Sequence, residues 1–144
     1  MTRGALHHLE LWVDDLDVAE REWGWLLGEL GYECADRWRA GQSWRHPEAG
    51  YVVLEAGPDR RAGGHDRMRA GLNHVALWAG TRADVDRLAA EAPGHGWRLL
   101  FADRHPYAGG PHHYAAFVEN SEGFEVELVA GPEAAHADIT PPTG

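Results

Sequence analysis

Two histidines stand at corresponding places in a segment that occurs twice in this chain. His8 lies in LHHLELWV (residues 6–13), and His74 lies in LNHVALWA (residues 72–79), so the two histidines are 66 positions apart. In both copies a tryptophan follows the histidine four residues later. Histidine is the most common protein ligand of transition metals, so a repeated histidine directs attention to metal chemistry.

A second repeated segment ends each half of the chain. YVVLEAGP (residues 51–58) corresponds to EVELVAGP (residues 125–132), 74 positions later, and both contain glutamate. Carboxylates join imidazoles as ligands of divalent cations. A duplicated module with a histidine near its start and a carboxylate near its end suggests a metal site at the centre of a pseudo-twofold fold.

The strands and helices that position these residues are predicted from the alternation of apolar and polar residues and from helix-capping residues. Residues 6–13 alternate and are predicted to form a strand, with Leu9 and Leu11 on the face that packs on a helix. A helix capped by Asp14 or Asp15 should run to about Leu30. Further strands are predicted near residue 32, over residues 42–46 and over residues 51–56.

The second half of the chain repeats this β-α-β-β-β order. Its predicted elements are a strand over residues 71–79, a helix capped by Thr81, a strand over 97–101, a loop over 103–113 and strands over 114–119 and 124–130. We therefore predict one domain with module 1 over about residues 5–57, a linker over 58–70, module 2 over about 71–131 and a tail over 132–144. A chain of 144 residues can bury a substantial core as one domain.

Composition excludes several classes of partner. The formal net charge is −10, from 23 acidic and 13 basic residues, which disfavours nucleic acid and anionic membrane surfaces. Cys34 is the single cysteine and is predicted to be a small buried residue, so neither an intrachain disulfide nor a thiolate cluster can form. With no long apolar run and no signal-peptide pattern, we expect a cytoplasmic protein without a membrane partner.

The segments around both histidines, together with the closing stretch FVENSEGFEVELV (residues 117–129), resemble the vicinal oxygen chelate superfamily. This family is also called the glyoxalase/bleomycin resistance protein/dioxygenase fold. The closing stretch retains the family's Gly123 and Glu127, whereas Asn120, Ser121 and Glu122 replace its usual turn residues. The resemblance extends from about Leu6 to Ala130.

This resemblance implies an α+β fold in which two β-α-β-β-β modules form a curved, barrel-like mixed sheet around a central cavity. It also implies one divalent metal ion, held by His8, His74 and Glu127. The alternation of strand residues agrees with this assignment. If the three ligands face the cavity, the intervening residues, such as Val75 and Val126, form a uniformly apolar face for packing on helices.

One departure from the family concerns the ligand count. Glyoxalase I-like members have a metal-binding glutamate where this chain has Val53, the counterpart of Glu127. We therefore expect three protein ligands and open coordination positions. Two histidines and one carboxylate match the facial arrangement of non-haem iron oxygenases and also suit Mn, Ni, Co or Zn. Ring-cleaving dioxygenase chemistry fits this pattern better than glyoxalase or epimerase chemistry.

Other side chains are candidates for acid–base catalysis. The loop before residue 114 is rich in groups that donate, accept or titrate, and from it we select His113 and Tyr114 as catalytic candidates. An ordinary glycine-rich surface loop is the alternative. Glu10 and Glu55 would share the cavity face and could act as a base, or they could lie in solvent or pair with arginines such as Arg45.

Three aromatic residues are candidates for binding the substrate. Trp12 and Trp78 occupy equivalent cavity-facing positions and could sandwich an aromatic ligand, although plugging the far end of each sheet is slightly favoured. Tyr107, in the loop at the expected cavity mouth, is a further candidate.

Three functions remain open at this point. The leading one is a metal-dependent glyoxalase- or dioxygenase-like enzyme acting on a small, oxygen-chelating substrate. The second is a non-catalytic protein that sequesters an antibiotic or metabolite, as bleomycin-resistance members do, and the third is a fosfomycin-type thiol transferase. Superfamily members of this length commonly form homodimers, in which His8 of one chain would meet His74 and Glu127 of another.

Overall fold

The computed structural model describes residues 1–133 as two helices, a short 3-10 helix and eight strands. Its elements are β1 (His8–Trp12), α1 (Leu16–Glu29), β2 (Glu33–Trp38), β3 (Gly41–Arg45), β4 (Tyr51–Glu55), β5 (Val75–Trp78), α2 (Arg82–Glu91), the 3-10 helix (Ala92–His95), β6 (Arg98–Leu99), β7 (Ala115–Glu119) and β8 (Glu125–Val129). The predicted tail lies outside the described residues from position 134 onward. No helix of residues 1–133 has the length and apolar character required to cross a bilayer.

The strands form two four-stranded mixed sheets with the same topology. The strand order is β1-β4-β3-β2 in the first sheet and β5-β8-β7-β6 in the second. In each sheet the first two strands of this order are parallel and the other pairs are antiparallel. The predicted α+β class and the repeated β-α-β-β-β order are therefore confirmed. The sheets are curved but do not close into a barrel.

Local sequence signals start and end both helices. Asp15 has an extended backbone, and its Oδ1 accepts a hydrogen bond from the Val18 amide at 3.1 Å, which caps α1. Thr81 and Asp84 form a reciprocal capping box at the start of α2, with the Asp84 carboxylate accepting from the Thr81 amide at 2.8 Å. Gly31, at φ +90°, follows α1 in the left-handed conformation that glycine tolerates best.

One hydrophobic core joins the two modules. Trp23 of α1 packs edge-to-face on Trp97 and Phe124 of the second module, with ring centroids 5.0 and 5.9 Å apart. The buried indole of Trp97 donates a hydrogen bond to the Glu22 carbonyl at 2.9 Å. The hydroxyl of Ser121 donates to the Glu22 carboxylate at 2.6 Å. Because α1 contributes to the interior of both halves, the core fixes how the modules lie relative to each other.

Some elements differ from their predictions. The strand predicted over residues 97–101 is reduced to Arg98–Leu99. Phe101 has a φ of +54°, which turns the chain out of the extended conformation. Cys34 is half-buried rather than buried, and its thiol lies 3.8 Å from the Asp36 carbonyl at an irregularity in the β2–β3 pairing.

Arg67 attaches the linker between the modules to the second sheet. Its Nε donates to Glu119 at 2.8 Å, and its Nη1 donates to Glu125 at 3.3 Å. Burial raises the pKa of Glu119, but the hydrogen bonds from Arg67 and Arg98 outweigh burial, so the pKa lies below its ordinary value of 4.5. The Glu125 side chain is only 3 % exposed, so losing this partner would leave a buried charge unpaired.

Replacing Arg67 with methionine is expected to lower the free energy of unfolding by about 2–3 kcal/mol at pH 7. A carboxyl group with a lowered folded pKa stabilises the fold above its unfolded pKa and loses that effect as pH falls through the folded pKa. The difference between wild type and Arg67→Met should therefore shrink below about pH 4.5. Urea denaturation at several pH values measures it. Arg69→Met, at an exposed pair with Asp66, is the control and should change stability by less than about 0.5 kcal/mol.

Candidate functional site

The proposed ligand Glu127 lies on the second sheet at the centre of one cross-strand row. In β8 it pairs with Ala76 of β5 and with Phe117 of β7. Although only 7 % exposed, it lies on the face opposite the fully buried Val126 and Leu128, as alternation requires. In the first sheet Glu10 pairs with Val53 in the same register, so Val53 is the topological counterpart of Glu127.

Two histidines contact the carboxylate of Glu127, one on each oxygen. Nε2 of His74 lies 3.1 Å from Oε2, and Nε2 of His113 contacts Oε1. His74 immediately precedes β5, whereas His113 ends the long loop before β7. The ring of Phe117 stands edge-to-face to His74 with centroids 6.1 Å apart. The fold thus places three of the selected residues together.

The spacing of His74 and Glu127 fits a shared metal ion. Nitrogen and oxygen ligands bind such ions at about 2.0–2.2 Å, so two adjacent ligands have donor atoms about 3 Å apart. The 3.1 Å between Nε2 and Oε2 matches this distance. The contact of His113 is with the other oxygen, where it can hold the carboxylate without occupying the same position.

His8, the third predicted ligand, lies on the first sheet. Its ring stacks on Tyr51 with centroids 4.7 Å apart, and its Nδ1 is 2.8 Å from Nδ1 of His7. Within residues 1–133 of one chain, no three His, Cys, Asp or Glu side chains form a group able to hold a metal ion. A single chain therefore presents His8 apart from the pair formed by His74 and Glu127.

The remaining candidates on the first sheet pair with tryptophans. Glu10 accepts a hydrogen bond from the Trp12 indole at 2.9 Å, and Glu55 accepts one from the Trp38 indole at 2.9 Å. Trp12 is 47 % exposed and Trp78 is 72 % exposed. Within a single chain, therefore, neither tryptophan plugs the core.

The two tyrosines of the loop region lie together, and Tyr114 contacts α2. Tyr107 and Tyr114 pack edge-to-face with centroids 5.6 Å apart. The Tyr114 hydroxyl donates to Asp86 at 2.6 Å, and this hydrogen bond is the main reason that its pKa rises to about 12. The guanidinium of Arg82 lies over the Tyr114 ring. Tyr114 is thus engaged by the helix rather than by Glu127.

Sequence reasoning missed Asn73, which contacts the other side of His74. The Asn73 side-chain oxygen lies 2.7 Å from Nδ1 of His74, and its amide nitrogen donates to the Arg67 carbonyl at 3.0 Å. A signal was present in the repeat, because Asn73 precedes one repeated histidine as His7 precedes the other.

A cleft of about 470 Å³ lies beside the linker rather than at Glu127. Glu10, Trp12, Arg60, His65 and Glu122 are among its lining residues. In one chain this cleft and the His74–Glu127 pair are therefore separate features.

Replacing His113 with glutamine is expected to weaken metal binding by about 10-fold, because residues that orient a ligand typically contribute 10–100-fold to metal affinity. Glutamine keeps a donor but cannot reproduce the ring geometry at Oε1. Isothermal titration with Zn²⁺ measures the change. His112→Gln, at the exposed neighbouring histidine, is the control; equal affinity in wild type and His113→Gln would contradict the prediction.

Comparison with known proteins identifies the family to which this chain is similar. Residues 7–117 match the Glyoxalase/Bleomycin resistance protein/Dioxygenase superfamily. The chain is 42 % identical over 125 residues to YqjT of Bacillus subtilis strain 168, an uncharacterised protein, covering 87 % of this chain and 98 % of YqjT.

Solved structures show the same fold. The crystal structure of a proposed glyoxalase from Bacillus halodurans has a TM-score of 0.83 and 44 % identity, covering 90 % of this chain and 97 % of that one. A lactoylglutathione lyase from Agrobacterium tumefaciens has a TM-score of 0.61 at 19 % identity, covering 91 % and 96 % of the two chains. The second likeness concerns the fold alone.

Proposed function

Because this chain belongs to the glyoxalase/bleomycin resistance protein/dioxygenase superfamily, we propose that it is a divalent-metal-dependent enzyme acting on a small substrate with two neighbouring oxygen atoms. The observation that carries the proposal is the 3.1 Å spacing between Nε2 of His74 and Oε2 of Glu127. This spacing suits two adjacent ligands of one ion. Fe, Mn, Ni, Co and Zn all accept this combination of nitrogen and oxygen donors.

The third ligand in this proposal is His8 from a second copy of the chain. His8 lies on an exposed part of the first sheet, and its Nε2 is available because its contact with His7 is through Nδ1. The exposed Trp12 and Trp78 lie on the same sheet faces as the proposed ligands. Pairing the first sheet of one chain with the second sheet of another would cover these faces and complete the site in a symmetric homodimer.

In the assembled site, each chain's residues have distinct tasks. His8, His74 and Glu127 would hold the ion, which supplies Lewis-acid or oxygen-activating chemistry when bound. His113 would hold the second oxygen of Glu127, which keeps that carboxylate oriented. Trp12, Trp78 and Tyr107 would contribute aromatic surface for the substrate and exclude water. Val53 cannot ligate, so coordination positions remain for the substrate's two oxygens.

The Co²⁺-substituted protein provides a direct test of metal and chelate binding. We expect about one equivalent of Co²⁺ per chain after chelator treatment and reconstitution. Catechol or acetohydroxamate, used as vicinal-oxygen probes, should then shift the visible absorption of the bound ion. His74→Ala should lose the bound Co²⁺, whereas His112→Ala should retain it. Wild-type protein that binds none of Fe²⁺, Mn²⁺, Ni²⁺, Co²⁺ or Zn²⁺ would overturn the proposal.

Sequestration of an aromatic ligand is the second candidate, favoured by the exposure of Trp12 and Trp78. Stacking on these indoles would require no metal. Bleomycin is a suitable probe, with quenching of tryptophan fluorescence as the readout. Equal quenching in the metal-free and metal-loaded protein, lost in Trp78→Ala, would support sequestration. No quenching in either form would exclude this probe as a ligand and count against the candidate.

A further inference from the structure

The residue before each repeated histidine contacts that histidine's Nδ1. In the second module, Asn73 Oδ1 lies 2.7 Å from Nδ1 of His74, and in the first module, Nδ1 of His7 lies 2.8 Å from Nδ1 of His8. Both residues precede the paired part of their strand, since β1 begins at His8 and β5 begins at Val75. Strand alternation therefore does not direct their side chains to the opposite face.

The hydrogen bonds of Asn73 determine which end of its amide faces His74. Its Nδ2 donates to the Arg67 carbonyl at 3.0 Å, so its Oδ1 is the atom beside the imidazole. An amide oxygen only accepts hydrogen bonds, and the imidazole must supply the proton from Nδ1. The Nε2 of His74 is then the nitrogen directed at Glu127, where a metal ligand is required.

The anchor of Asn73 is itself held firmly. Arg67, whose carbonyl accepts the Asn73 hydrogen bond, is bound to Glu119 at 2.8 Å and to Glu125 at 3.3 Å. All three of these charged side chains are at most 20 % exposed. The linker thus connects the second sheet to the amide that contacts His74, giving His74 a fixed orientation.

We propose that Asn73 is a positioning residue for the metal centre: it keeps the proton of His74 on Nδ1 and presents Nε2 to the ion. His7 has the corresponding task for His8 in the first module. This inference rests on the proposed function for its metal, but the orientation of His74 is a property of the metal-free chain as well. Partners of this kind, which fix the tautomer of a ligand histidine, commonly contribute 10–100-fold to metal affinity.

Two pairs of variants separate this role from simple packing. Asn73→Leu removes the acceptor, whereas Asn73→Asp keeps an acceptor oxygen but loses the donor to Arg67 and adds a negative charge. We expect Zn²⁺ affinity to fall about 10–100-fold in Asn73→Leu and to stay within about 3-fold of wild type in Asn73→Asp. His7→Leu should likewise weaken binding, whereas His7→Asn, which copies the second module, should keep it within about 3-fold.

Nitrogen NMR of the imidazole provides a readout independent of metal and activity. A proton on Nδ1 and none on Nε2 of His74 in metal-free wild type, with this preference lost in Asn73→Leu, supports the inference. An unprotonated Nδ1 in wild type, unchanged affinity in Asn73→Leu, or equal losses in the Leu and Asp variants would overturn it. Wild-type protein that binds no metal would instead overturn the proposed function, and the NMR result would still decide the role of Asn73.

Discussion

Glu127→Gln is expected to weaken Zn²⁺ binding by more than about 100-fold. The change removes the one anionic ligand of the proposed metal site while keeping the shape of the side chain. A direct ligand should contribute more than the 10–100-fold typical of the residues that orient ligands. Glutamine can still hydrogen-bond His74 and His113, so the local structure should survive. Titration of the metal-free protein with Zn²⁺ measures the loss.

Glu125→Gln is the matched control for this prediction. Glu125 lies in the same strand and on the same face, has a side chain that is 3 % exposed, and pairs with Arg67 rather than with a histidine. Its replacement should reduce stability and leave Zn²⁺ affinity within about 3-fold of wild type, because no ligand contact is lost. Similar losses of affinity in the two variants would show that the charge of this face, rather than ligation by Glu127, governs metal binding.

Two variants that each lack tight metal binding are expected to restore it to each other when they are refolded together. His8→Ala and Glu127→Gln homodimers should each lack tight Zn²⁺ binding. In a mixed dimer, one site combines both substitutions, whereas the other combines wild-type His8 with wild-type His74 and Glu127. Random pairing makes half of the dimers mixed, so about one quarter of all sites should recover.

Absence of recovery in the mixture would contradict a site shared between two chains. If the site closes within one chain, the mixture will contain only damaged sites and bind no more Zn²⁺ than its parents. A mixture of His74→Ala with Glu127→Gln is the control, since both substitutions damage the same half of every site. It should show no recovery in either arrangement. Size-exclusion chromatography with light scattering establishes that the refolded species are dimers.

Strand alternation predicted the face on which Glu127 lies, but it did not predict the contact between His7 and His8. Strand alternation is a strict two-residue period, so it places Glu127 on the face opposite Val126 from the sequence alone. The same rule does not hold for His7: alternation would direct its side chain to the face opposite His8, but the two imidazoles are in contact. His7 lies just outside β1, where no strand pairing constrains its side chain.

The contacts of side chains in the loop before β7 could not be predicted from the sequence for a related reason. The density of titratable groups before β7 selected His113, Tyr114 and Tyr107 equally, because a loop has no period that assigns directions. In the structure His113 contacts Glu127, whereas Tyr114 bonds Asp86 on α2. The 3-10 helix at Ala92–His95 was also missed, since Gly94 and Gly96 resemble a simple break between elements.

In the cross-strand register, the two modules carry an acidic residue on different strands of corresponding pairs. Glu10 faces Val53 in the first module, and Ala76 faces Glu127 in the second. Each pair therefore holds one acid and one small apolar residue, but on opposite strands. Exchanging Glu10 and Val53 for alanine and glutamate would give both halves the same arrangement at constant charge. In the proposed metal site, the number of coordination positions left to the substrate would then depend on which of the two adjacent strands carries the acid.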